Sequence, residues 1–319
     1  MTATQERPVG GGAVAAPRAP QASTARWRRS IAPWLYLSPW LIGAALFTLG
    51  PAVLGLVMSF TNWNLLFPTT WVGLDNYEEM FTDDYRFWGS LRTSAYYLIL
   101  SVPIYLVVGL SAALLLNQRV WGIRMFRTIL FLPSVLSGVA VAALWMLLLN
   151  GQNGAINTVL RNLGVANPPQ WFTDPSWAVP AIVIVGLWGV LGNGAIIYLA
   201  GLQNISPVMY EAAMIDGAGA WRRFWSITIP LLTPTLFFML LVSIIGAFQV
   251  FDTAFTIDGG RSGDSLRFYL LYLWQAGFRD GRLGYAAALS MILLVIGTVV
   301  VLVLLKTQDR WVHYEDGED

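Results

Sequence analysis

A polar segment between two long apolar stretches, residues 206–230, has the pattern of two short helices joined by a turn. Ser206 followed by Pro207 predicts a helix start, because serine favours the N-cap and proline the first helical position. Gly217 predicts the end of that helix, since glycine readily adopts the positive φ found just past helix ends. The segment is therefore expected to form a helical hairpin.

Two features of this hairpin suit contact with another protein. Glu211 lies near the middle of the first helix, and its acidic group can pair with an arginine of a partner. Ala212 and Ala213 follow it, and their small side chains allow another surface to approach the backbone. The second helix is expected to present one aromatic face, because the residues spaced i, i+3 and i+4 are Trp221, Phe224 and Trp225. An amphipathic link lying on a membrane surface is the alternative interpretation.

The hairpin resembles the EAA loop of ABC importer permeases, whose pattern is E-A-A-x-x-x-G followed by I-x-L-P. The residues that fill the family's positions are Glu211, Ala212, Ala213, Gly217, Ile227 and Pro230, while Ile229 stands where leucine is usual. In that family the loop docks in a groove of the ATP-binding subunit and transmits its closure to the membrane helices. The ATPase-coupling residues implied by the resemblance are Glu211, Ala212, Ala213, Asp216, Gly217, Gly219 and Arg222.

Polar residues inside the apolar stretches form a second candidate set. Such side chains are costly in hydrocarbon and usually face the interior of a helix bundle. Gln249 and Asp252 are spaced i, i+3 and are predicted to share a helix face, with Phe251 and Phe255 nearby as possible stacking surfaces for a sugar ring. A purely structural role is the alternative for each of them, since serine often bonds within its own helix. The expected solute-pathway residues are Ser134, Asn193, Ser243, Gln249 and Asp252.

Longer runs resemble the maltose-type carbohydrate permeases, specifically the first partner of a heteromeric permease pair. These runs are VGLDNYEEMF, FRTILFLPSVLS, AGLQNISPVMYEAAMIDGAG and AFQVFDTAFTIDGG. The resemblance implies a second homologous permease subunit, two copies of an ABC ATPase and an extracytoplasmic solute-binding protein that delivers a sugar. It places Asn193 and Ser243 at sugar-contacting positions, and Ser134 less directly. Arg261 departs from the Gly-Gly-Gly-Pro-Gly pattern of the loop that faces the binding protein.

Composition assigns the chain to the integral membrane class. Of its 319 residues 56% are hydrophobic and only 12% are charged, and the mean hydropathy is +0.59, whereas soluble domains carry about 25% charged residues. Six apolar stretches are long enough to cross a bilayer as helices: residues 31–60, 93–116, 128–149, 177–201, 230–251 and 285–305. An all-α membrane bundle of six helices is predicted, and the resemblance makes it a type I ABC importer permease.

The loop charges predict the orientation in the membrane. With an even number of spans, twelve Lys and Arg residues lie on the side of both termini and seven on the other, which makes the terminal side cytoplasmic. The expected organisation is a disordered cytoplasmic tail over residues 1–30, a permease domain over 31–306 with its coupling loop at 202–229, and an acidic cytoplasmic tail over 307–319. The predicted location is the cell membrane of a prokaryote.

Several classes of function are disfavoured by what the chain contains. It has no Cys and one His, His313, so a thiolate or histidine-based metal site or catalytic triad is not expected. No G-x-x-x-x-G-K-[ST] motif is present, so ATP and Mg would be held by partner ATPase subunits rather than by this chain. The net charge of +1 gives no footprint for nucleic acid. Alternatives left open are a glycerol-phosphate or other polyol permease, a secondary transporter and a membrane-embedded enzyme.

Overall fold

The computed structural model describes residues 23–64, 66–118, 122–258 and 264–312, with the side chains of residues 23–32, 133, 134 and 264 outside that description. The described residues are almost entirely helical, and their one isolated bridge pairs Thr61 with Trp71. The α-helices are α1 Ser23–Ala44, α2 Gly50–Met58, α3 Asp75–Thr82, α4 Tyr85–Leu116, α5 Ile123–Val135, α6 Gly138–Leu148, α7 Ala155–Asn162, α8 Pro175–Gly189, α9 Ala195–Asn204, α10 Pro207–Ile215, α11 Ala220–Arg223, α12 Ile229–Phe248, α13 Asp252–Asp258, α14 Tyr269–Trp274 and α15 Leu283–Thr307.

Three short π-helical turns of the described residues connect α-helices without a break, at Ala45–Leu49, Val190–Gly194 and Phe224–Thr228. A fourth, Gln275–Arg279, follows α14 and is separated from α15 by residues 280–282. A π turn inserts one residue into the helical ladder and is frequent at functional sites. The second of these turns carries Asn193, one of the predicted pathway residues.

Five helical stretches of the described residues are long and apolar enough to cross a membrane. They are Pro33–Met58, Tyr85–Leu116, Pro175–Asn204, Ala220–Asp258 and Leu283–Arg310. Each coincides with one of the six predicted spans, so the all-helical membrane class is confirmed. The one predicted span without such a counterpart is residues 128–149, the third in chain order.

The prediction that residues 128–149 form a single helix was wrong, because α5 and α6 are separated at Leu136 and Ser137. Ser137 has extended backbone angles, φ −67° and ψ 149°, and its side chain accepts a hydrogen bond from the N–H of Ala140 at 3.3 Å. The residue thus caps a new helix instead of continuing the old one. Two half-helices in series replace the predicted rod.

The chain divides into two compact units, residues 1–54 and 55–319. In the first unit α1 begins at Ser23, so residues 23–30 of the predicted tail are helical, while residues 1–22 lie outside the described part. At the other terminus α15 ends at Thr307 and a 3₁₀ turn follows over Gln308–Arg310. Residues 313–319 of the predicted acidic tail also lie outside the described part.

Helix α4 is the centre of the second unit, where it packs against α8, α9, α12 and α14. The approach of α4 to α8 depends on Gly186, because a Cβ atom at this position would lie 1.9 Å from the hydroxyl oxygen of Tyr105. Tyr105 in turn donates to the carbonyl of Val183 at 3.1 Å. Small residues that let membrane helices approach closely are typical of such interfaces.

A buried acidic residue joins the start of α4 to α14 and α15. Asp84 is only 7% exposed and caps α4 by accepting from the N–H of Arg86 at 2.9 Å. It also accepts hydrogen bonds from the hydroxyls of Tyr272 and Tyr285. A second tie lies beside it, where the guanidinium of Arg282 donates two hydrogen bonds to the carboxylate of Glu79.

The same contacts set the pKa of Asp84. Burial by itself would raise this pKa, but hydrogen bonds from two tyrosine hydroxyls and two backbone N–H groups outweigh it and hold the pKa below its ordinary value of 3.8. The folded protein therefore stabilises the ionised carboxylate of Asp84 relative to the protonated form.

Candidate coupling site and solute pathway

The predicted hairpin is present, and its first helix is α10, Pro207–Ile215. Gly217 follows with φ +77°, and the N–H groups of Gly217 and Ala218 donate to the carbonyls of Met214 and Ala213 at 3.1 and 2.8 Å. This is the Schellman arrangement that ends many helices. Ser206 occupies the predicted N-cap position, but its side chain makes no capping hydrogen bond.

The second part of the hairpin differs from the prediction of a separate short helix. Helix α11 continues through the π turn Phe224–Thr228 directly into α12, a long membrane helix. The predicted aromatic face is confirmed: the ring centroid of Trp221 lies 6.1 Å from that of Phe224 and 5.7 Å from that of Trp225. The hydroxyls of Tyr210 and Thr228 lie 2.9 Å apart and tie α10 to the π turn. The hairpin is thus continuous with α12.

The predicted coupling residues lie on the surface of the hairpin. Ala213 is half-buried, and the exposed ones are Glu211, Ala212, Asp216, Gly217, Gly219 and Arg222. Large apolar side chains are exposed beside them, including Ile215 at 88% and Trp221 at 74%. An exposed apolar patch with an acidic group at its side is typical of a protein interaction site.

A cavity of about 810 Å³ lies at the base of the hairpin, and its lining mixes polar and apolar side chains. The polar and charged residues of the lining include Gln118, Arg127, Gln203 and Glu211. The guanidinium of Arg127 donates to the carbonyl of Leu116 at 3.0 Å, at the last residue of α4. Arg127 is one of the twelve basic residues counted on the side of the termini, but the sequence pattern offered no reason to place it beside the hairpin.

The break between α5 and α6 lies beside one predicted pathway residue. A Cβ atom built on Gly138, the first residue of α6, would be 3.6 Å from the carboxylate oxygen Oδ2 of Asp252. Helix α6 packs closely against α13, which begins at Asp252. The first N–H groups of a helix attract negative charge, so the acidic side chain is well placed there.

The prediction that Gln249 and Asp252 share a helix face was wrong. Helix α12 ends at Phe248, Gln249 is its C-cap, and α13 starts only at Asp252, so the i, i+3 relation does not apply. Gln249 instead lines an apolar cavity of about 580 Å³ together with Ser290 and Thr298 of α15. The hydroxyl of Ser290 donates to the carbonyl of Ala286 at 2.9 Å.

The other pathway candidates lie on two elements. Asn193 is exposed on the π turn Val190–Gly194, against which α5 packs. Ser134 belongs to α5, but its side chain lies outside the description, and Ser243 is half-buried on α12. The π turn that carries Asn193 therefore packs against α5, and Asp252 lies at the start of α6. Gln249 is not part of this arrangement and lines the cavity beside α15.

The aromatic residues near Asp252 are used by the fold. The rings of Phe251 and Phe255 stack at 5.3 Å, and Trp274 packs edge-on against Phe255 at 4.8 Å. Arg261 and His313 lie outside the described residues. Within the described ranges no group of three or more metal-ligating side chains is clustered.

Comparison with known proteins gives one consistent result. Residues 105–313 match the family described as the binding-protein-dependent transport system inner membrane component. The chain is 39% identical to the probable ABC transporter permease protein YesP of Bacillus subtilis, over 91% of this chain and 94% of the relative. It is 34% identical to the lactose transport system permease protein LacF of Rhizobium radiobacter, over 84% and 90%.

A solved structure shares the fold. It is the bacterial alginate ABC transporter in complex with an alginate pentasaccharide-bound periplasmic protein, and one of its chains matches with a TM-score of 0.79. The match covers 91% of this chain and 98% of the other, at 24% sequence identity. The predicted type I importer permease architecture is thereby confirmed.

Proposed function

The chain belongs to the family of binding-protein-dependent transport inner membrane components and is a permease subunit of an ABC transporter; on this premise we propose that it imports a neutral mono- or oligosaccharide, driven by ATP that separate ATPase subunits hydrolyse. The observation that carries the proposal is the hairpin at residues 206–230. It presents Glu211 and an apolar patch to a partner, and it runs without interruption into α12.

The continuity of the hairpin with α12 gives a physical route for coupling. Helix α11, the π turn Phe224–Thr228 and α12 form one helical rod, and the contact between Tyr210 and Thr228 fixes α10 to it. A partner that moves α10 must therefore also move α12. Because interiors are close-packed, such a displacement shifts the neighbours of α12, which are α4 and α9.

The break between α5 and α6 is the place where that motion would reach the solute. Interrupted membrane helices often form solute sites, since their free backbone groups are available at membrane depth. Asp252 beside Gly138 adds a carboxyl group that accepts hydrogen bonds from sugar hydroxyls. Asn193, on the π turn next to α5, adds an amide.

The proposed substrate class is supported by this chemistry and by one of the relatives. LacF is named for lactose transport, and the acidic Asp252 would repel a phosphate ester or another anionic solute. A neutral carbohydrate is therefore favoured over glycerol-phosphate.

The proposal also specifies the rest of the transporter. A binding protein is required by the family, and we infer a second homologous permease and two ATPase copies that bind ATP and Mg. The hairpin and both termini would face the cytoplasm. This chain would contribute no cofactor or metal site.

The experiment is reconstitution. The chain would be co-expressed with its partner permease, ATPase and binding protein, purified, and placed in liposomes containing ATP. Uptake of radiolabelled lactose, maltotriose and glycerol 3-phosphate would then be measured. Import of a sugar that depends on ATP and on the binding protein is expected. Import of glycerol 3-phosphate alone, or sugar uptake driven by an ion gradient without ATP, would contradict the proposal.

A further inference from the structure

A second site with the composition of a carbohydrate site lies at the junction of α7 and α8, and its lining includes no residue of the break between α5 and α6. It is a cavity of about 550 Å³ formed by residues 160–177, where α7 ends and α8 begins. The helical rod Pro175–Asn204 contains 30 residues and is therefore about 45 Å long. The cavity lies at the start of this rod and the coupling hairpin follows its end, so the two are on opposite sides of the membrane.

The cavity combines an aromatic surface with several hydrogen-bonding groups. Trp177 is 41% exposed and presents an indole face, while the amides of Asn167 and Gln170 are exposed beside it. Asp174 adds a carboxyl group, one of whose oxygens already caps α8 by accepting from Ser176 at 2.8 Å. An aromatic face with a few placed polar groups is the usual pattern of a small-molecule site.

The groups around the cavity are held by a buried frame. Asn157 is fully buried, donates to the carbonyls of Gly151 and Pro169 at 2.8 and 2.9 Å, and accepts from the indole N–H of Trp171 at 2.7 Å. The ring of Trp171 packs edge-on against Trp177 at 5.3 Å. Since Asn157 satisfies three polar groups within the loop, the exposed face of Trp177 is preorganised.

Gln170 also reaches a second, adjoining cavity. This cavity, of about 380 Å³, shares Gln170 and Trp171 with the first and adds Asn150, Gln152 and Thr173. Gly151 makes room for the shared amide, because a Cβ atom there would lie 1.9 Å from Oε1 of Gln170. The two cavities together offer amide and hydroxyl groups along an extended surface, which suits more than one sugar ring.

We propose that this pair of cavities is an outer carbohydrate-binding site, where a neutral sugar ring packs on Trp177 and its hydroxyls pair with Asn167, Gln170 and Asp174. Its place in transport, between release from the binding protein and entry into the membrane, rests on the proposed function. Apolar C–H faces of a pyranose match the indole face, and ring hydroxyls both donate to and accept from side-chain amides.

The test is hydroxyl-radical footprinting with peptide mass spectrometry. The assembled transporter in nanodiscs, without its binding protein, is oxidised with and without lactose, maltotriose or glycerol. Oxidation of Trp177 is compared with that of Trp71, which is 67% exposed and lies outside the cavity. At least one sugar should lower the oxidation of Trp177 relative to Trp71 by about half or more once its concentration exceeds the Kd, whereas glycerol should not.

Variants complete the test. Asn167→Ala and Gln170→Ala should abolish the protection, while Asn162→Ala, an exposed amide of α7 that does not line the cavity, should retain it. Absence of protection by both sugars would overturn the site, as would protection that survives both substitutions. Trp177 that resists oxidation even without sugar would identify a lipid-covered interfacial anchor instead. Sugar uptake by the same variants is measured in parallel in liposomes containing ATP, with the binding protein present, so that loss of the outer site is distinguished from failure of the proposed function.

Discussion

The carboxylate of Asp252 lies against Gly138, the residue with which helix α6 begins. A single methyl group at position 138 would meet Oδ2 of Asp252 at 3.6 Å, which is ordinary van der Waals contact, whereas a larger side chain would have to displace it. The break between the two half-helices of the third span therefore leaves room at position 138 for a small side chain only.

Substitutions at Gly138 should show whether the close contact with Asp252 matters for transport. Gly138→Ala should leave uptake nearly unchanged, and Gly138→Leu should lower it by about tenfold or more, because overpacking at a close contact costs about 1–3 kcal/mol. Initial uptake rates in liposomes measure both variants. If the leucine variant transports like the alanine variant, the contact with Asp252 does not matter for transport.

Replacement of Glu211 tests the hairpin as a docking element. Glu211→Lys should weaken association with the ATPase by about tenfold or more, since loss of a charge-assisted hydrogen bond costs about 1.5–3 kcal/mol. The amount of ATPase that copurifies in detergent is the measurement. Asp309→Lys makes the same charge change at an exposed position outside the hairpin and should copurify normally. Normal assembly of the Glu211 variant would argue against its role.

The turn of the hairpin offers a matched pair of glycines. Gly217 has φ +77°, whereas Gly219 has φ −67° and ψ 166°, and neither has an atom within 4 Å of a built Cβ. Gly217→Ala should strain the helix end by about 1–2 kcal/mol, and Gly219→Ala should not. ATP hydrolysis stimulated by the binding protein should fall in the first variant only. Equal activity in both would show that the turn geometry is irrelevant to coupling.

Stability should depend on pH through Asp84. Because the folded-state pKa of Asp84 is lowered below 3.8, its contribution is fully present above that value and is lost as the pH falls through the folded-state pKa. Asp84→Asn should therefore destabilise the protein at pH 7 by about 1–3 kcal/mol.

Thermal unfolding from neutral to strongly acidic pH checks this expectation. The difference in Tm between the native chain and Asp84→Asn should shrink as the pH falls below about 4. Asp83→Asn is the control, since Asp83 is exposed and accepts only from the neighbouring Thr82. A constant Tm difference over the whole range would contradict the prediction.

Asn193 tests the solute pathway. Asn193→Ala should lower sugar uptake by about tenfold, because a lost hydrogen bond to a bound solute costs about 1–1.5 kcal/mol, while ATPase copurification stays unchanged. Asn204→Ala removes an exposed amide from the end of the same rod and should transport normally. Undiminished uptake by the Asn193 variant would remove this residue from the pathway.

The features that the sequence predicted are those set by local pattern. The lengths of the apolar stretches determined five spans, and the order of Ser206, Pro207 and Gly217 determined the ends of α10, because capping and backbone preferences act over a few residues. The aromatic face at Trp221 followed from helical spacing alone.

The features that could not be predicted from the sequence depend on contacts between residues far apart in the chain. Ser137 caps α6, and the next residue, Gly138, lies beside Asp252, which is far along the chain, so this contact does not follow from the local pattern. The hydrogen bonds from Tyr272 and Tyr285 to Asp84 join residues 188 and 201 positions apart. The assumption that Gln249 and Asp252 share a helix failed because α12 ends at Phe248 and α13 begins only at Asp252.

Cysteine cross-linking measures the docking of the hairpin on the ATPase, and the chain contains no native cysteine to interfere. The variant Ala212→Cys, on the exposed face of α10, would be treated with a short bismaleimide in the assembled transporter whose ATPase carries single cysteines in its membrane-facing groove. If the hairpin docks there, a specific cross-link to the ATPase forms, and its yield changes when ATP is added. No cross-link at any groove position, together with labelling of the introduced thiol by an impermeant maleimide from outside intact cells, would contradict this docking.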